Sequence, residues 1–147
     1  MPASEEYAHN YLNYLFGKVK TLTAPENVYL ALTSNDPEAD KGVVIELSGG
    51  GYERVHICTT SGTYPNLMGT PTGRAITNSK QINWNKATAK WPDVKGFATY
   101  TAPTGGKLIY YGKITNAEGK VSVDSGAVAL FDPETLKISI ADTDVSE

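Results

Sequence analysis

Along this chain the spacing of apolar residues changes once, near residue 25. Before that point Tyr7, Tyr11, Leu15, Val19 and Leu22 recur every three or four positions, the period of one helical stripe, and Leu12 and Phe16 widen it. Ser4 stands where an N-cap belongs, with Glu5 and Glu6 placed to favour the helix dipole. The pattern predicts an amphipathic helix over 4–22. Tyr7, Tyr11 and Tyr14 give it an edge of apolar bodies with polar tips, which suits an interface. Two placements fit such a helix: packed on its own domain, or gripping a neighbouring subunit.

After residue 25 the period falls to two. Val28, Leu30 and Leu32 alternate with Tyr29, Ala31 and Thr33, and Val55, Ile57 and Thr59 alternate with Arg54, His56 and Cys58. Further strand-like runs are KQINWNKA (80–87), GFATYT (96–101), KLIYYGKIT (107–115), AVALFD (127–132) and TLKISIAD (135–142). Each is short, rich in β-branched and aromatic residues, and closed by turn chemistry such as TAPTGG, NAEGK, VDSG or FDPET. The expectation is an all-β chain: a single β-sandwich over 27–142, jelly-roll-like or immunoglobulin-like, preceded by one N-terminal helix. The stretch 60–73, TSGTYPNLMGTPTG, has no useful period and reads as a long surface loop. Its Tyr64, Leu67 and Met68 are apolar groups on that loop and join Tyr7, Tyr11 and Tyr14 as candidate interface residues. Trp84 and Trp91, seven positions apart, are expected to anchor the core.

Composition narrows the classes. A chain of 147 residues suits one domain and buries roughly 70% of its unfolded surface without a staple. Its single cysteine, Cys58, forms no internal disulfide. The net charge is −3, and only Arg54 and Arg74 accompany scattered lysines, so no nucleic-acid patch is expected. No apolar stretch approaches the roughly 20 residues that span a bilayer. The opening MPASEEY is acidic where a secretory signal is basic.

Reactive chemistry is sought and not found. Asp36, Glu38 and Asp40 offer oxygen ligands, but an EF-hand starting at Asp36 would need Gly at 41 and Glu at 47, where Lys41 and Leu47 stand. A different calcium site using Glu46 stays open beside the plainer reading, a solvated acidic turn. Gly49, Gly50 and Gly51 open a strand and no GK[ST] follows, so they read as a bulge or tight bend and not a phosphate loop. Strict alternation places His56 and Cys58 on one face, yet no signature supplies an oriented base or an oxyanion site. No catalytic residue, cofactor or metal is assigned.

The order of the segments carries a family resemblance. NVYLALTSNDPEAD leads into ELSGGGYER, and later ITNSKQINWNKATAKWPDVKGFATY is followed by TGGKLIYYGKIT. This set resembles a family of small bacteriophage virion proteins with the pattern VYxALTSxDP, E(V/L)SGGGYxR, ATAxW and TGGxLxYxG, over about Asn27 to Thr115. Members are commonly labelled tail-fibre or minor tail proteins. The spacer PEADKGVVI and the loop TYPNLMGTPTG are more elaborate than that pattern.

The resemblance implies a non-enzymatic virion protein, made in the host bacterial cytoplasm and assembled onto the particle. Its partners would be the major capsid protein or tail proteins. With no long repeat or coiled coil to make a shaft, the sequence favours a capsid decoration or cement subunit, as a homotrimer at three-fold positions or as a monomer or dimer. The alternative is a minor tail or tail-fibre component. A third reading, a carbohydrate-binding module, requires exposed and roughly coplanar aromatic rings.

Overall fold

The computed structural model of the chain describes residues 3–21, 25–59 and 66–139. Helix α1 (Glu5–Leu15) starts where the sequence predicts, with the Ser4 hydroxyl accepting from the Tyr7 N–H. It ends well short of residue 22. Gly17 takes the left-handed conformation at φ 74°, the Lys18 N–H donates to the Asn13 carbonyl at 2.8 Å, and the Gly17 N–H donates to that of Tyr14. This pair of bonds closes the last turn and turns the chain away, so the apolar spacing beyond Phe16 continues without a helix. Leu22 lies outside the described residues.

Among the described residues eight strands follow: β1 (Asn27–Thr33), β2 (Val55–Thr59), β3 (Ala75–Thr77), β4 (Ile82–Asn83), β5 (Gly96–Tyr100), β6 (Leu108–Lys113), β7 (Leu130–Phe131) and β8 (Lys137–Ser139). All pairings are antiparallel. A four-stranded sheet has the order β2-β1-β5-β6, while β3 with β8 and β4 with β7 form two-stranded ladders. The expected class, an all-β sandwich behind one helix, is the one observed. Its second layer is made of short ladders and turns, so the strands predicted at 80–87 and 127–132 shrink to two paired residues each, and the one predicted at 135–142 pairs over 137–139 within the described residues. Strand β3 was not expected at all. Residues 140–147 and 60–65 lie outside the described residues.

The core lies between these layers. Leu30 and Leu32 of β1 and Phe97 of β5 meet Ile82, Trp84, Val123 and Leu136, and both tryptophans are buried as expected. Leu67 and Met68 pack against this cluster from the end of the predicted loop, where the Leu67 N–H donates to the Ile57 carbonyl and the Gly69 N–H to that of Thr77.

The opposite face of the large sheet is also covered. Thr33, Ala31 and Ala98 are fully buried there. The segment 34–46 folds back over them, with Pro37 buried against Gly96, where an added Cβ would stand 2.5 Å from the proline ring, and Gly42 against Tyr111. The acidic turn is therefore part of the structure and not a solvated appendage. Asp36 Oδ1 accepts from the N–H groups of Glu38 and Ala39, Glu38 Oε2 accepts from the Lys113 N–H, and Asp40 Oδ2 accepts from Asn35.

The alternation in β2 breaks at one point. Val28 pairs with Cys58 but Tyr29 pairs with His56, so a bulge lies between them. His56 therefore stacks on Tyr29 at 4.4 Å on one face, and Cys58 packs against the core with Val55 and Ile57 on the other. The expected sharing of a face by His56 and Cys58 is corrected. An extra residue in one strand inverts the facing of everything beyond it.

Candidate functional site

Two regions could meet a partner, and one region fixes the body that presents them. The fixed region is built by the SGGGYER segment. Gly49, Gly50 and Gly51 all adopt positive φ, and a Cβ on Gly50 would lie 2.9 Å from the Trp91 ring. Trp91 Nε1 donates to the Gly50 carbonyl at 2.8 Å, and the ring meets Tyr52 edge-on.

Just beyond, Arg54 donates through Nε and one terminal nitrogen to the Glu46 carboxylate, both at 2.8 Å, and through its other terminal nitrogen to the carbonyls of Ala102 and Gly105. Its guanidinium lies 3.8 Å from the centre of the Tyr100 ring. Tyr52 closes the knot. Its hydroxyl donates to Glu46 at 2.6 Å and accepts from the Leu32 N–H at 3.0 Å, standing in for a strand partner that β1 lacks there.

Burial pushes the Glu46 carboxyl up, but the hydrogen bonds from Arg54 and Tyr52 outweigh it and hold it below the ordinary range. Burial and the Glu46 carboxylate raise the Tyr52 hydroxyl. Every donor of Arg54 except one is spoken for by named partners inside the chain. The chemistry of this knot is structural, and it ties β1, the segment before β2 and the β5–β6 turn into one unit. Sequence reading registered these residues only as motif letters. Their joint role was visible only through contacts between segments 48 and 51 positions apart.

The first candidate surface is α1. Its first turn is fastened to the edge strand β6: the Ser4 N–H donates to the Ile109 carbonyl, Ala3 bridges to Tyr110, and Lys107 donates to Glu6 at 2.9 Å. Nothing else on the helix is buried. Tyr7 is half-buried beside β6, with its hydroxyl raised by that burial and by Glu6. Tyr11 and Tyr14 are exposed, and so are Leu12, Leu15, Phe16 and Val19, with Phe16 at 73%. Of the two placements read from the sequence, packing on the body therefore accounts for the first turn alone.

The candidate residues do not form one surface. Tyr7, Tyr11 and Tyr14 stand at the β6 edge. Leu67 and Met68 stand near β2, at the opposite edge of the four-stranded sheet, roughly 14 Å away at ordinary strand spacing. Tyr64 lies outside the described residues.

The second candidate surface went unnoticed in the sequence. A cleft of about 490 Å³ opens between the layers, walled by residues 113–116, 129–131, 135–137 and Ser139, with Leu32, Trp84 and Phe97 at its floor. Trp84 is 3% exposed, and its Nε1–H has no hydrogen-bond partner among the described residues. Lys113 and Lys137 stand at the mouth. Neither tryptophan is exposed, which removes the observation a sugar-binding platform needs. Among the described residues no helix is long and apolar enough to cross a membrane, and no group of His, Cys, Asp and Glu is placed to hold a metal ion.

These features define a class before any comparison: an antiparallel β body with a locked end, an open cleft and an apolar helix left without a cover. The chain belongs to the family described as Podophage GP4 fiber I protein gp80, which matches residues 2–139. It is therefore a bacteriophage virion structural protein. No curated protein matches it. The family favours the fibre or tail alternative over the capsid decoration subunit that the missing shaft had suggested. A fibre can be assembled from several chains, so a shaft need not lie within each one.

Proposed function

We propose that this protein is a non-enzymatic fibre component of the phage tail, attached to a neighbouring tail protein through α1. The observation that carries the attachment is the helix itself. It is fastened to β6 by its first turn and presents Leu12, Leu15 and, at its C-cap, Phe16 to solvent. These positions follow the three- and four-residue spacing that an apolar groove reads. An isolated helix this short is marginal in water, so burial against a partner would stabilise it as well as the complex. The family match supports a fibre over a head subunit.

The partner is then a tail protein and not the major capsid protein. A closed homotrimer fits a fibre, since closed symmetry repeats one contact without open growth. Two measurements test the proposal. Quantitative mass spectrometry of purified virions is expected to find a handful of copies in multiples of three. A count comparable to the major coat protein would restore the decoration reading. The double variant Leu12→Asp, Phe16→Asp changes only exposed side chains and is expected to melt like the parent yet be lost from particles. Normal incorporation of that variant would remove the helix from the attachment.

A further inference from the structure

The cleft has three properties that belong together. First, its floor is apolar, lined by Leu32, Trp84 and Phe97, and the buried Trp84 Nε1–H beneath has no acceptor among the described residues. An unsatisfied buried group of this kind is uncommon in native cores. Second, one wall is an open strand edge. Strand β7 is paired to β4 on one side only. The Trp84 N–H donates to the Ala129 carbonyl, while Leu130 stands opposite Asn83. Alternate residues of an antiparallel ladder turn their N–H and C=O groups away from the partner strand, and that register makes Leu130 such a residue. The residue is 46% exposed and borders the cleft. Third, the mouth is cationic. Lys113 and Lys137 are both exposed, while the nearby Glu38 carboxylate already accepts from the Lys113 N–H.

An open strand edge is completed by another strand, because only an extended backbone offers donors and acceptors at the right repeat. A helix has none to spare, which excludes α1 of a second copy. A sugar would leave the apolar floor uncovered. We propose that the cleft and the free edge of β7 receive an extended segment of another virion protein, an added strand that pairs with Leu130. One apolar side chain of that segment lies against the cleft's apolar lining, Trp84 and Phe97, and acidic residues face Lys113 and Lys137. Side chains alternate along a strand, so the segment alternates apolar with acidic or small polar residues. This inference rests on the chain being a virion component, and it adds a second contact, distinct from the helix.

The test places a photo-crosslinking amino acid, p-benzoylphenylalanine, at Leu130 in the full chain, produced during infection. Virions are purified, irradiated and digested, and the joined peptides are identified by mass spectrometry. Leu130 is exposed, so the replacement leaves the core intact. The expected result is a join to a different virion protein, within a segment that alternates apolar and acidic residues. The same group at Lys90, whose side chain is 69% exposed and outside the cleft, is expected to give no such join. Adding Lys113→Glu and Lys137→Glu is expected to lower the yield severalfold at unchanged melting temperature.

A join to another copy of this chain, or to the chain's own residues, would overturn the proposal. So would a particle that contains the protein but gives no join at Leu130, and that outcome would leave the fibre reading untouched. Absence of the protein from particles would overturn the fibre reading and this inference with it.

Discussion

Trp84 and Trp91 stand seven residues apart, are equally buried, and meet opposite fates. Trp91 is locked: its indole N–H reaches the Gly50 carbonyl, its ring meets Tyr52, and the glycine beneath it leaves no room for a side chain. Around it, Arg54, Glu46 and Tyr52 satisfy one another. Trp84 is as deeply placed, at 3% exposure, against Phe131 at 5.7 Å, yet its N–H, itself shut off from solvent, has no partner among the described residues. One end of the sandwich is finished within the chain. The other leaves a donor and a strand edge without partners among the described residues. The contrast separates a part whose polar groups are satisfied within the chain from a part whose polar groups are incompletely paired.

The largest effect that would break this contrast is at Arg54. Its side chain is 7% exposed, and Arg54→Ala leaves the Glu46 carboxylate and two carbonyls without their donors. Removing one partner of such a pair costs about 3 to 5 kcal/mol, which urea denaturation would read as a lower midpoint. A loss below about 1 kcal/mol would show that the knot is solvated and that the locked end is not locked.

A sharper comparison uses the same truncation twice. Trp91→Phe strands the Gly50 carbonyl, whereas Trp84→Phe removes a donor that was never paired. The first should be the more destabilising by about 1 to 3 kcal/mol, since the volume lost is the same. Equal melting temperatures for the two variants would erase the distinction between the ends.

The smallest effect is a pH dependence. Because the Glu46 carboxyl is held below the ordinary range of a free glutamate, its contribution is fully present above that range and is lost as pH falls through the lower folded value. Glu46→Gln should therefore be less stable than the parent at pH 7, with the gap closing as the solution is taken below about pH 4. A gap that persists unchanged at pH 3 would mean that packing, and not the charge, sets the contribution of Glu46.

Much of the fold was legible because its signals are local. Alternation in NVYLALT and KLIYYGKIT set β1 and β6, the capping Ser4 set the start of α1, and glycine runs marked the bends. The helix end was legible too, in Gly17, had its neighbours' spacing not extended the apolar stripe. The failures share a different cause. The bulge in β2 depends on how Val28 and Tyr29 meet the facing strand. The burial of Pro37 depends on a bare Cα at Gly96, and β3 exists only because β8 pairs with it. Of the candidate interface residues, sequence grouped the helix tyrosines with Leu67 and Met68, and the sheet order set them at opposite edges.

By itself the sequence determined the class: period and turn chemistry specify antiparallel strands behind one amphipathic helix, and the match over residues 2–139 places the chain in a phage virion family. Only the tertiary structure decided which polar groups find partners. Hydrogen bonding between distant segments is a property of the assembled backbone, so no window along the chain could tell that Trp91 would be satisfied by Gly50 and Trp84 by nothing within the described residues.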